Sequence, residues 1–407
     1  MQKVYRVAIV GGGAAGLMSA LHLVGGSHSL RGEDVLVLER NDRVGKKLIA
    51  TGNGLGNLMN AVFSQENYYG DKEFIDAFIS HAKKVDLESY LYNLGLPLCT
   101  LKDGKKYPLS RQASSVLDIF RLHLEKSGCN VIVNAKAENI YKRDNVFTIS
   151  TTAGEFNCEN LIIATGGASA KQFGTDGTAY ALVEKFGHKK TPLYPSLVQL
   201  KCDLKDIRGL KGLKETARVT ALSNGKVLKS SVGEVLFTEY GVSGNAVFQV
   251  SGHLTNALNP ELKIEFLPEM QINKVEELLV AREKIGGLVG ENRLLGIINK
   301  RIGQAVIKRS KSQTAKDVAK TLKDFRLKVT GNLGFNYAQV TKGGIKTDGV
   351  DKLDMQSKLV KNMYLVGEML DVDGDCGGYN LTFAFVSAIT AAENIKNKYI
   401  NIGSSNG

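Results

Sequence analysis

A chain of 407 residues is too long for one compact hydrophobic core, so its length predicts two or three structural units. Its composition is that of a globular protein, and no apolar run is long enough to cross a bilayer, which excludes an integral membrane protein. The formal net charge is +12, and residues 271–330 alone contribute +8, so the basic excess is local.

The N-terminus and the charge distribution predict where the protein works and what it meets. Met1 leads directly into an apolar strand with no secretory leader, which predicts a soluble cytoplasmic protein without a membrane partner. The basic excess includes Lys308-Arg309-Ser310-Lys311, which could bind phosphate. A solvated helical face is the favoured interpretation of such a run, so the sequence disfavours nucleic acid as a partner and leaves the oligomeric state open.

The cysteines do not form a recognisable framework. There are five of them, an odd number, and no C-x-x-C pair. They are Cys99, Cys129, Cys158, Cys202 and Cys376. This spacing argues against disulfides and against a structural zinc site, and no His-x-x-x-His spacing offers another metal site. The first four are expected to be buried thiols.

The first domain is predicted to extend over residues 1–190. Its opening reads strand, tight turn, helix and strand, with apolar strands at Val7–Val10 and Val35–Leu38, which is the start of a doubly wound α/β sheet. Residues 72–94 and 115–127 have helical spacing. Residues 130–166 alternate like hairpin strands.

The character of the sequence changes near residue 190. Residues 191–270 carry short strands and turn signals, which predict a small antiparallel β unit, and residues 271–328 have helical periodicity. Residues 343–407 return to the pattern of the first domain, with a strand at 363–366 and a helix from about residue 379 to 396. We therefore expect a discontinuous nucleotide-binding domain with an insertion, and disorder only in the tail, residues 401–407.

A glycine motif follows the first strand. Gly11, Gly13 and Gly16 give G-x-G-x-x-G between a strand and a helix, the context in which this pattern indicates a dinucleotide site. Gly13 lets the backbone approach a pyrophosphate, which sits on amide groups at the positive end of the helix. Glu39 ends the second strand, where its carboxylate can accept hydrogen bonds from the adenosine ribose.

Two later segments favour FAD over NAD as the dinucleotide. Leu161–Gly167 is an apolar strand followed by Ala-Thr-Gly-Gly, and Tyr364–Glu368 is a strand ending in glycine and an acid. Two-dinucleotide-fold flavoproteins carry both features. A nearby acid, Asp371 or Asp373, could bind ribityl hydroxyls, and the turn before Tyr379 would place a helix N-terminus near the flavin pyrimidine ring.

The sequence resembles, over nearly its whole length, the bacterial FAD-binding proteins called BaiN-like or aminoacetone-oxidase-like. The motifs that carry the resemblance are the glycine start, Gly45–Leu48, Tyr107-Pro108, Gln112–Asp118, Ala164–Gly167, Phe237–Gly241, Ala338–Thr341 and Gly367–Leu381. Asp373-Gly374-Asp375-Cys376 favours the reductase-like branch of the family. The resemblance implies a Rossmann-type α/β FAD domain with an inserted antiparallel β-barrel at 191–270, closing strands near 329–342, and a helical lobe at 271–328.

Motifs and resemblance together predict the residues that contact non-covalently bound FAD. They are Gly11, Gly13, Ala14, Ala15, Gly16, Glu39, Arg40, Lys47, Gly52, Asn53, Gly54, Asn57, Ala137, Thr165, Gly166, Gly367, Glu368, Asp373, Gly378, Tyr379, Asn380 and Leu381. The catalytic residues cannot be assigned from the sequence. Cys376 and Tyr379 are the candidates, and a helix N-terminus is expected to lower the pKa of the Cys376 thiol.

The chain departs from the family pattern in three places. Leu55-Gly56 stands where relatives carry Arg-Cys, the segment Ser169–Gly174 lacks the usual Tyr-Pro, and Asn245 replaces a proline. All three places are expected at the rim of the active site. A changed substrate is therefore one expectation.

These observations predict an FAD-dependent oxidoreductase that moves a hydride between flavin and a small organic substrate bound between the FAD domain and the inserted lobes. No second G-x-G-x-x-G follows a strand, because Gly286–Gly290 lies in helical periodicity, so NAD(P)H is expected to dock transiently as electron donor. Two alternatives stay open. One is an amine oxidase that makes hydrogen peroxide, and the other is a non-catalytic flavin protein whose basic lobe contacts RNA or an acidic partner.

Overall fold

The structure is a computed structural model that describes residues 3–404. The chain forms two compact units, one made of residues 1–193 and 340–407 and the other of residues 194–339. We call them unit 1 and unit 2. Within residues 3–404 no helix combines the length and the apolar character that crossing a bilayer requires.

Within residues 3–404, unit 1 contributes sixteen α-helices and strands before the insertion and four after it. The first set is β1 Val4–Val10, α1 Ala14–Val24, β2 Val35–Leu38, α2 Lys46–Ile49, β3 Met59–Asn60, β4 Tyr68–Gly70, α3 Lys72–Ala82, α4 Leu87–Asn93, β5 Leu98–Thr100, β6 Lys105–Pro108, α5 Ala113–Ser127, β7 Asn130–Ile132, β8 Ala137–Arg143, β9 Val146–Thr151, β10 Gly154–Ile163 and α6 Tyr180–Glu184.

Unit 2 supplies the next eleven. They are β11 Tyr194–Ser196, β12 Leu200–Cys202, β13 Lys214–Ser223, β14 Lys226–Phe237, β15 Gly241–Ser243, α7 Asn245–Ser251, β16 Pro260–Phe266, α8 Ile272–Glu283, α9 Lys300–Arg309, α10 Ala315–Lys323 and β17 Phe325–Asn332. Unit 1 then resumes with β18 Val340–Lys342, β19 Met363–Leu365, β20 Val372–Gly374 and α11 Tyr379–Ser404.

The main sheet of unit 1 has the strand order β7-β2-β1-β10-β9-β8, and β19 also pairs with β10. Strands β7, β2, β1, β10 and β19 are parallel, with Ala8 opposite Leu36 and Leu161. Val7–Val10 and Val35–Leu38 are buried throughout, as expected for parallel strands covered on both faces. The carboxyl ends of these strands meet at one edge, where open α/β sheets bind ligands.

Hydrogen bonds join the two segments of unit 1 between which unit 2 is inserted. The amide of Thr191 donates to the carbonyl of Gly344 over 2.9 Å, and the amide of Gly344 donates to the Thr191 hydroxyl over 3.0 Å. Gly343 adopts a positive φ of +88° here, and a Cβ on it would lie 2.2 Å from the carbonyl oxygen of Pro192. The two chain segments that flank the insertion are therefore joined to each other within unit 1.

Unit 2 is a closed antiparallel barrel with three helices after its fifth strand. The barrel order is β12-β15-β14-β13-β16-β17, and β17 pairs with β12 to close it. Alternate residues of β13 and β16 point into one core, and examples are Val219 and Ile264, both fully buried. The fold class predicted from the sequence is confirmed, because the Rossmann-type sheet and the antiparallel barrel are both present.

Several sequence-based boundaries need correction. Residues 325–328 open strand β17 and do not continue the helical lobe, because alternate side chains of this segment enter the barrel core. Residues 286–289 are not helical either, since α8 ends at Glu283 and a short 3-10 helix begins only at Gly290. Helix α11 continues to Ser404, so four of the seven tail residues predicted to be disordered are helical. The other three, residues 405–407, lie outside the described part.

A buried lysine ties α10 to the barrel. The Lys323 side chain is 9% exposed, and its Nζ lies 2.7 Å from Glu265 Oε1 and donates to the carbonyl oxygens of Leu267 (2.8 Å) and Met270 (2.6 Å). We expect Lys323→Met to lower the free energy of unfolding by about 3–5 kcal/mol, because it leaves a half-buried carboxylate and two carbonyls without their cation. Chemical denaturation measures this, with exposed Lys320→Met as the control. Equal losses in the two variants would contradict it.

Candidate functional site

In the turn between β1 and α1, Gly11 and Gly16 have no room for a side chain, whereas Gly13 does. Gly11 has a φ of +109°, and a Cβ on it would lie 2.4 Å from the carbonyl oxygen of Ala164. A Cβ on Gly16 would lie 1.8 Å from the carbonyl oxygen of Gly11. Gly13 differs, because a Cβ there would meet no protein atom within 4 Å. The fold therefore leaves open space beside the Gly13 backbone at the start of α1, where a pyrophosphate is expected.

The carboxylate that follows β2 is held rigidly. Glu39 is 6% exposed, and its Oε2 accepts from the Gly12 amide over 2.8 Å. Its Oε1 accepts from the amide and the side chain of Asn41, over 2.8 and 2.7 Å. These bonds fix the carboxylate next to the glycine turn, since one oxygen bonds directly to that turn.

A second carboxylate connects three segments of unit 1. Glu368, just after β19, lies 2.6 Å from Lys47 Nζ and accepts from the amide of Thr341 over 2.9 Å. The Thr341 hydroxyl in turn accepts from the amides of Ala168 (2.8 Å) and Ser169 (3.0 Å). Thr341 belongs to a quoted family motif, but the sequence did not single it out as a site residue. Only the three-dimensional structure shows that it joins the ends of β10 and β19.

The ends of β10 and β19 also carry features that fit a bound dinucleotide. The Thr165 hydroxyl is buried and has no hydrogen-bond partner among residues 3–404. Gly367 has a φ of +72°, and a Cβ on it would lie 2.9 Å from the Ala15 methyl group in α1. The turn after β19 therefore packs closely against the start of α1. An orphaned hydroxyl and the open space at Gly13 fit a bound dinucleotide.

Asp373 in β20 is the most perturbed acid of this region. It is 5% exposed, and burial raises the pKa of its carboxyl to about 7. The neighbouring carboxylates Asp371, Asp375 and Glu368 raise the pKa further, while Lys342 lowers it. A ligand hydroxyl that donates to Asp373 would stabilise the ionised form of this carboxyl.

The turn from β20 to α11 packs against β3. A Cβ on Gly378 would lie 2.5 Å from the carbonyl oxygen of Met59, so only glycine fits here. The Asn57 amide, oriented to satisfy both of its ends, donates to Met59 and accepts from Gly378. Asn380 bonds back to both backbone groups of Gly374 over 2.8 and 2.9 Å. These contacts bring residues predicted from distant parts of the sequence together at the N-terminus of α11.

Residues 52–56 include the Leu55-Gly56 departure from the family pattern, and most of them adopt the left-handed backbone conformation that favours glycine. Gly52, Asn53, Gly54 and Gly56 all have φ between +56° and +84°. At Gly56 a Cβ would lie 3.0 Å from Ala113 Cα, so the cysteine of relatives would be both strained and crowded in this conformation. The neighbouring Leu55 is 45% exposed. Neither residue replaces the chemistry of the missing Arg-Cys pair.

Two predicted contact residues are engaged elsewhere in the protein. Arg40 Nη1 donates to Asp176 Oδ1 over 2.9 Å and to the Gly174 carbonyl over 3.1 Å, so it holds the 174–176 segment. Ala137 pairs with Thr151 at the start of β8. The nearby Ala135, which the sequence did not single out, donates its backbone amide to the Glu39 carbonyl oxygen over 2.8 Å.

The expectation of a lowered thiol pKa at Cys376 is wrong. Burial raises the pKa of Cys376, and the opposing effect of Lys105 does not overcome it. The thiol is therefore protonated at neutral pH. The expectation of four buried thiols holds for Cys158 and Cys202 only, because Cys99 and Cys129 are partly exposed, and all five cysteines are unbridged.

The class of protein follows from the fold, the site and comparison with known proteins. The chain combines a Rossmann-type sheet and this glycine turn with similarity to a known reductase. It is a flavin-dependent oxidoreductase. The family described as HI0933-like protein Rossmann domain matches residues 5–394. The chain belongs to this family, and the resemblance to BaiN-like proteins is confirmed.

Three curated relatives cover nearly the whole chain. The 3-dehydro-bile acid delta(4,6)-reductase of Clostridium scindens is 32% identical over 403 residues, 95% of this chain and 98% of the relative. The ribosomal RNA dihydrouridine synthase of Haemophilus influenzae is 26% identical, with coverage of 95% and 97%. The ribosomal RNA dihydrouridine synthase of Escherichia coli is 27% identical, with the same coverage.

A solved structure shows the same fold at low sequence identity. The 3-ketosteroid-delta4-(5alpha)-dehydrogenase of Rhodococcus jostii superposes with a TM-score of 0.52 at 14% identity, covering 97% of this chain and 98% of its own. At this identity the likeness concerns the fold alone.

Proposed function

We propose that the protein binds FAD non-covalently and reduces a carbon–carbon double bond conjugated to a carbonyl group, with NAD(P)H as a transient electron donor. The observation that carries the proposal is the open space beside Gly13, next to the fixed Glu39 carboxylate, in a chain 32% identical to a reductase. The cofactor and the electron donor are parts of the proposal.

The names of the relatives point to one type of reaction. A delta(4,6)-reductase of a 3-dehydro bile acid saturates double bonds conjugated to a 3-oxo group. A dihydrouridine synthase saturates the C5–C6 bond of uracil, which is conjugated to the C4 carbonyl. Both reactions add a hydride to a carbon in conjugation with the carbonyl, the β carbon in uracil and the β or δ carbon in the dienone, and a proton to the neighbouring carbon of the same double bond. The shared chemistry supports a conjugated alkene as the substrate, whatever molecule carries it.

Different residues of unit 1 would bind different parts of FAD. The amides at Gly13 and the start of α1 would hold the pyrophosphate, and Glu39 would accept from the adenosine ribose. Ribityl hydroxyls or phosphate oxygens would bond to the buried Asp373 carboxyl and to the Thr165 hydroxyl, which has no hydrogen-bond partner among residues 3–404. The N-terminus of α11 would favour negative charge on the reduced flavin ring. Bound flavin supplies the hydride to the substrate.

Two protonated side chains beside α11 can deliver the proton to the α carbon. Burial raises the pKa of Tyr379 to about 12, so its phenol stays protonated, as does the Cys376 thiol. Both groups lie on the turn that would face the flavin. We propose that one of them acts as the general acid, since each holds a proton at neutral pH.

An anaerobic two-step absorbance experiment tests the proposed function. Purified protein should show the flavin bands, and NADH or NADPH should bleach them without oxygen. A 3-oxo-4,6-diene acid should then restore the bands and yield one saturated bond per NAD(P)H oxidised. Protein that neither carries nor takes up FAD contradicts the proposal. Peroxide formation from amines without nicotinamide supports the amine oxidase instead, and bound flavin that no donor reduces supports a non-catalytic protein.

A further inference from the structure

A half-buried lysine lies beside the turn that leads into α11. Lys105 of β6 is paired with Asn60 of β3, and the Asn60 side chain donates to the Gly377 carbonyl oxygen over 3.1 Å. A Cβ on Gly377 would lie 3.8 Å from Lys105 Cε and 3.3 Å from Cε2 of the Tyr379 ring. Strand β6 therefore brings the Lys105 side chain next to the residues that open α11.

The Lys105 ammonium is charged and only partly engaged. Its side chain is 21% exposed, and Nζ lies 2.5 Å from Asp103 Oδ2. Burial disfavours the charge, but Asp103 outweighs burial and raises the pKa of Lys105 above its ordinary value. Within residues 3–404 Asp103 is the one protein group that accepts a hydrogen bond from Nζ. Since an ammonium carries three donors, two of them are left for a ligand or for water.

The charge of Lys105 acts on two groups that hold protons beside this turn. Burial raises the pKa of the Cys376 thiol, and Lys105 opposes that effect. Burial likewise raises the pKa of the Tyr107 phenol, and Lys105 again opposes it. In the described part of the chain, Lys105 is the one cation that acts on Cys376. The positive end of the α11 dipole lies at the same turn, so a developing negative charge would be stabilised there by both.

The proposed reduction creates a negative charge on the carbonyl oxygen of the substrate. When a hydride adds to the conjugated double bond, the electron pair of that bond shifts along the conjugated chain to this oxygen, and an enolate forms. A proton then adds to carbon, and the carbonyl group forms again. Enzymes accelerate such steps by placing a fixed cation or hydrogen-bond donor where the oxyanion develops.

We propose that the Lys105 ammonium binds the carbonyl oxygen of the substrate and stabilises the enolate that hydride transfer produces. The inference rests on the proposed reductase function and adds a catalytic residue to it. The hydride originates from NAD(P)H, which becomes NAD(P)⁺. The proton that adds to carbon comes from Cys376 or Tyr379, whose conjugate base then takes a proton from water. Lys105 keeps its own protons throughout, so its role is electrostatic.

Three variants of the flavin-loaded full chain test the role of Lys105. Lys105→Met removes the charge and keeps most of the side-chain length, whereas Lys105→Arg keeps the charge. Lys102→Met is the matched control, because Lys102 is an exposed lysine in the same β5–β6 turn. All three variants should fold, since the Asp103 side chain is 52% exposed and ion pairs at the surface contribute little stability.

The two half-reactions should respond differently to these variants. Reduction of the flavin by NAD(P)H should proceed at the same rate in all four proteins. Reoxidation of the reduced protein by a 3-oxo-4,6-diene acid should be about a hundredfold to a thousandfold slower in Lys105→Met, which is the effect of removing one oxyanion donor. Lys105→Arg should recover part of this rate, and Lys102→Met should match wild type. Stopped-flow absorbance measures both steps.

Binding of a phenolate to the oxidised protein tests the oxyanion position without turnover. A phenolate resembles an enolate, because its charged oxygen is conjugated to carbon–carbon double bonds. The probe is para-nitrophenol, whose absorbance shows whether the phenol or the phenolate is bound. Wild type and Lys102→Met should prefer the phenolate, and Lys105→Met should bind it about tenfold or more weakly, as expected for the loss of a charged hydrogen bond. Equal affinity in the two methionine variants overturns the proposal.

The carboxylate of the diene acid is the competing partner for Lys105, and the methyl ester of the same compound excludes it. Slower reoxidation with the acid but not with the ester shows that Lys105 binds the carboxylate, which overturns the proposal. Equal reoxidation rates in Lys105→Met and wild type also overturn it and leave the proposed function intact. A reduced wild-type protein that neither compound reoxidises contradicts the proposed function itself.

Discussion

Gly13→Val is expected to abolish tight FAD binding while leaving the protein folded. Gly13 has φ −84° and ψ −165°, an extended conformation that valine adopts without strain, and a Cβ there meets no protein atom within 4 Å. The isopropyl group would extend into the open space beside Gly13, which is the space assigned to the pyrophosphate. Overpacking such a contact costs about 1–3 kcal/mol, so the affinity for FAD should fall by about tenfold to a hundredfold.

Two other glycines serve as controls for this variant. Gly286→Val also places a side chain in open space, but in unit 2, and should leave FAD binding unchanged. Gly16→Ala should instead lower the melting temperature, because its Cβ would lie 1.8 Å from the carbonyl oxygen of Gly11. Titration of apoprotein with FAD, followed by flavin fluorescence, measures the affinities. Wild-type affinity in Gly13→Val would show that the pyrophosphate lies elsewhere.

The affinity for FAD should rise with pH up to about 7 because of Asp373. Its raised pKa means that the apoprotein holds a proton on this carboxyl below pH 7. Ribityl hydroxyls that donate to the carboxylate would bind the ionised form, so binding must release that proton. The dissociation constant should therefore fall about tenfold per pH unit from pH 5 to 7 and level off above. Asp373→Asn should make the profile flat over this range.

The stability of the apoprotein should follow the opposite trend over the same range. The folded state holds the Asp373 proton more tightly than the unfolded state, so this carboxyl stabilises the fold at low pH. That contribution is complete below about pH 4 and is lost as the pH rises through 7. Melting curves of apoprotein and Asp373→Asn at pH 5 and 8 measure it. An FAD affinity that does not change with pH in wild type would remove Asp373 from the proposed site.

Local sequence patterns predicted the parts of the site that depend on local structure. The strand–turn–helix around Gly11–Gly16 was predictable because the spacing of its glycines is a local pattern, although the atom that crowds Gly11 belongs to the distant Ala164. The insertion was visible because strand spacing changes near residue 190. Glu39 could be located because it ends a short apolar strand, β2, whose limits the structure reproduces.

The errors arose where long-range packing decides the outcome. The thiol pKa of Cys376 depends on burial by distant segments, which outweighs the nearby helix N-terminus. Thr341 acts by joining β10 to Glu368, 27 residues further along the chain. The segment 325–328 continues a helical spacing in sequence, but its pairing with the distant strand β16 makes it a strand.

The closed junction at Thr191 and Gly344 has an evolutionary consequence. Because unit 1 joins these two segments by its own hydrogen bonds, the cofactor sheet does not depend on what lies between them for closure. A lineage can lengthen, recharge or replace the inserted module while it inherits the same flavin chemistry.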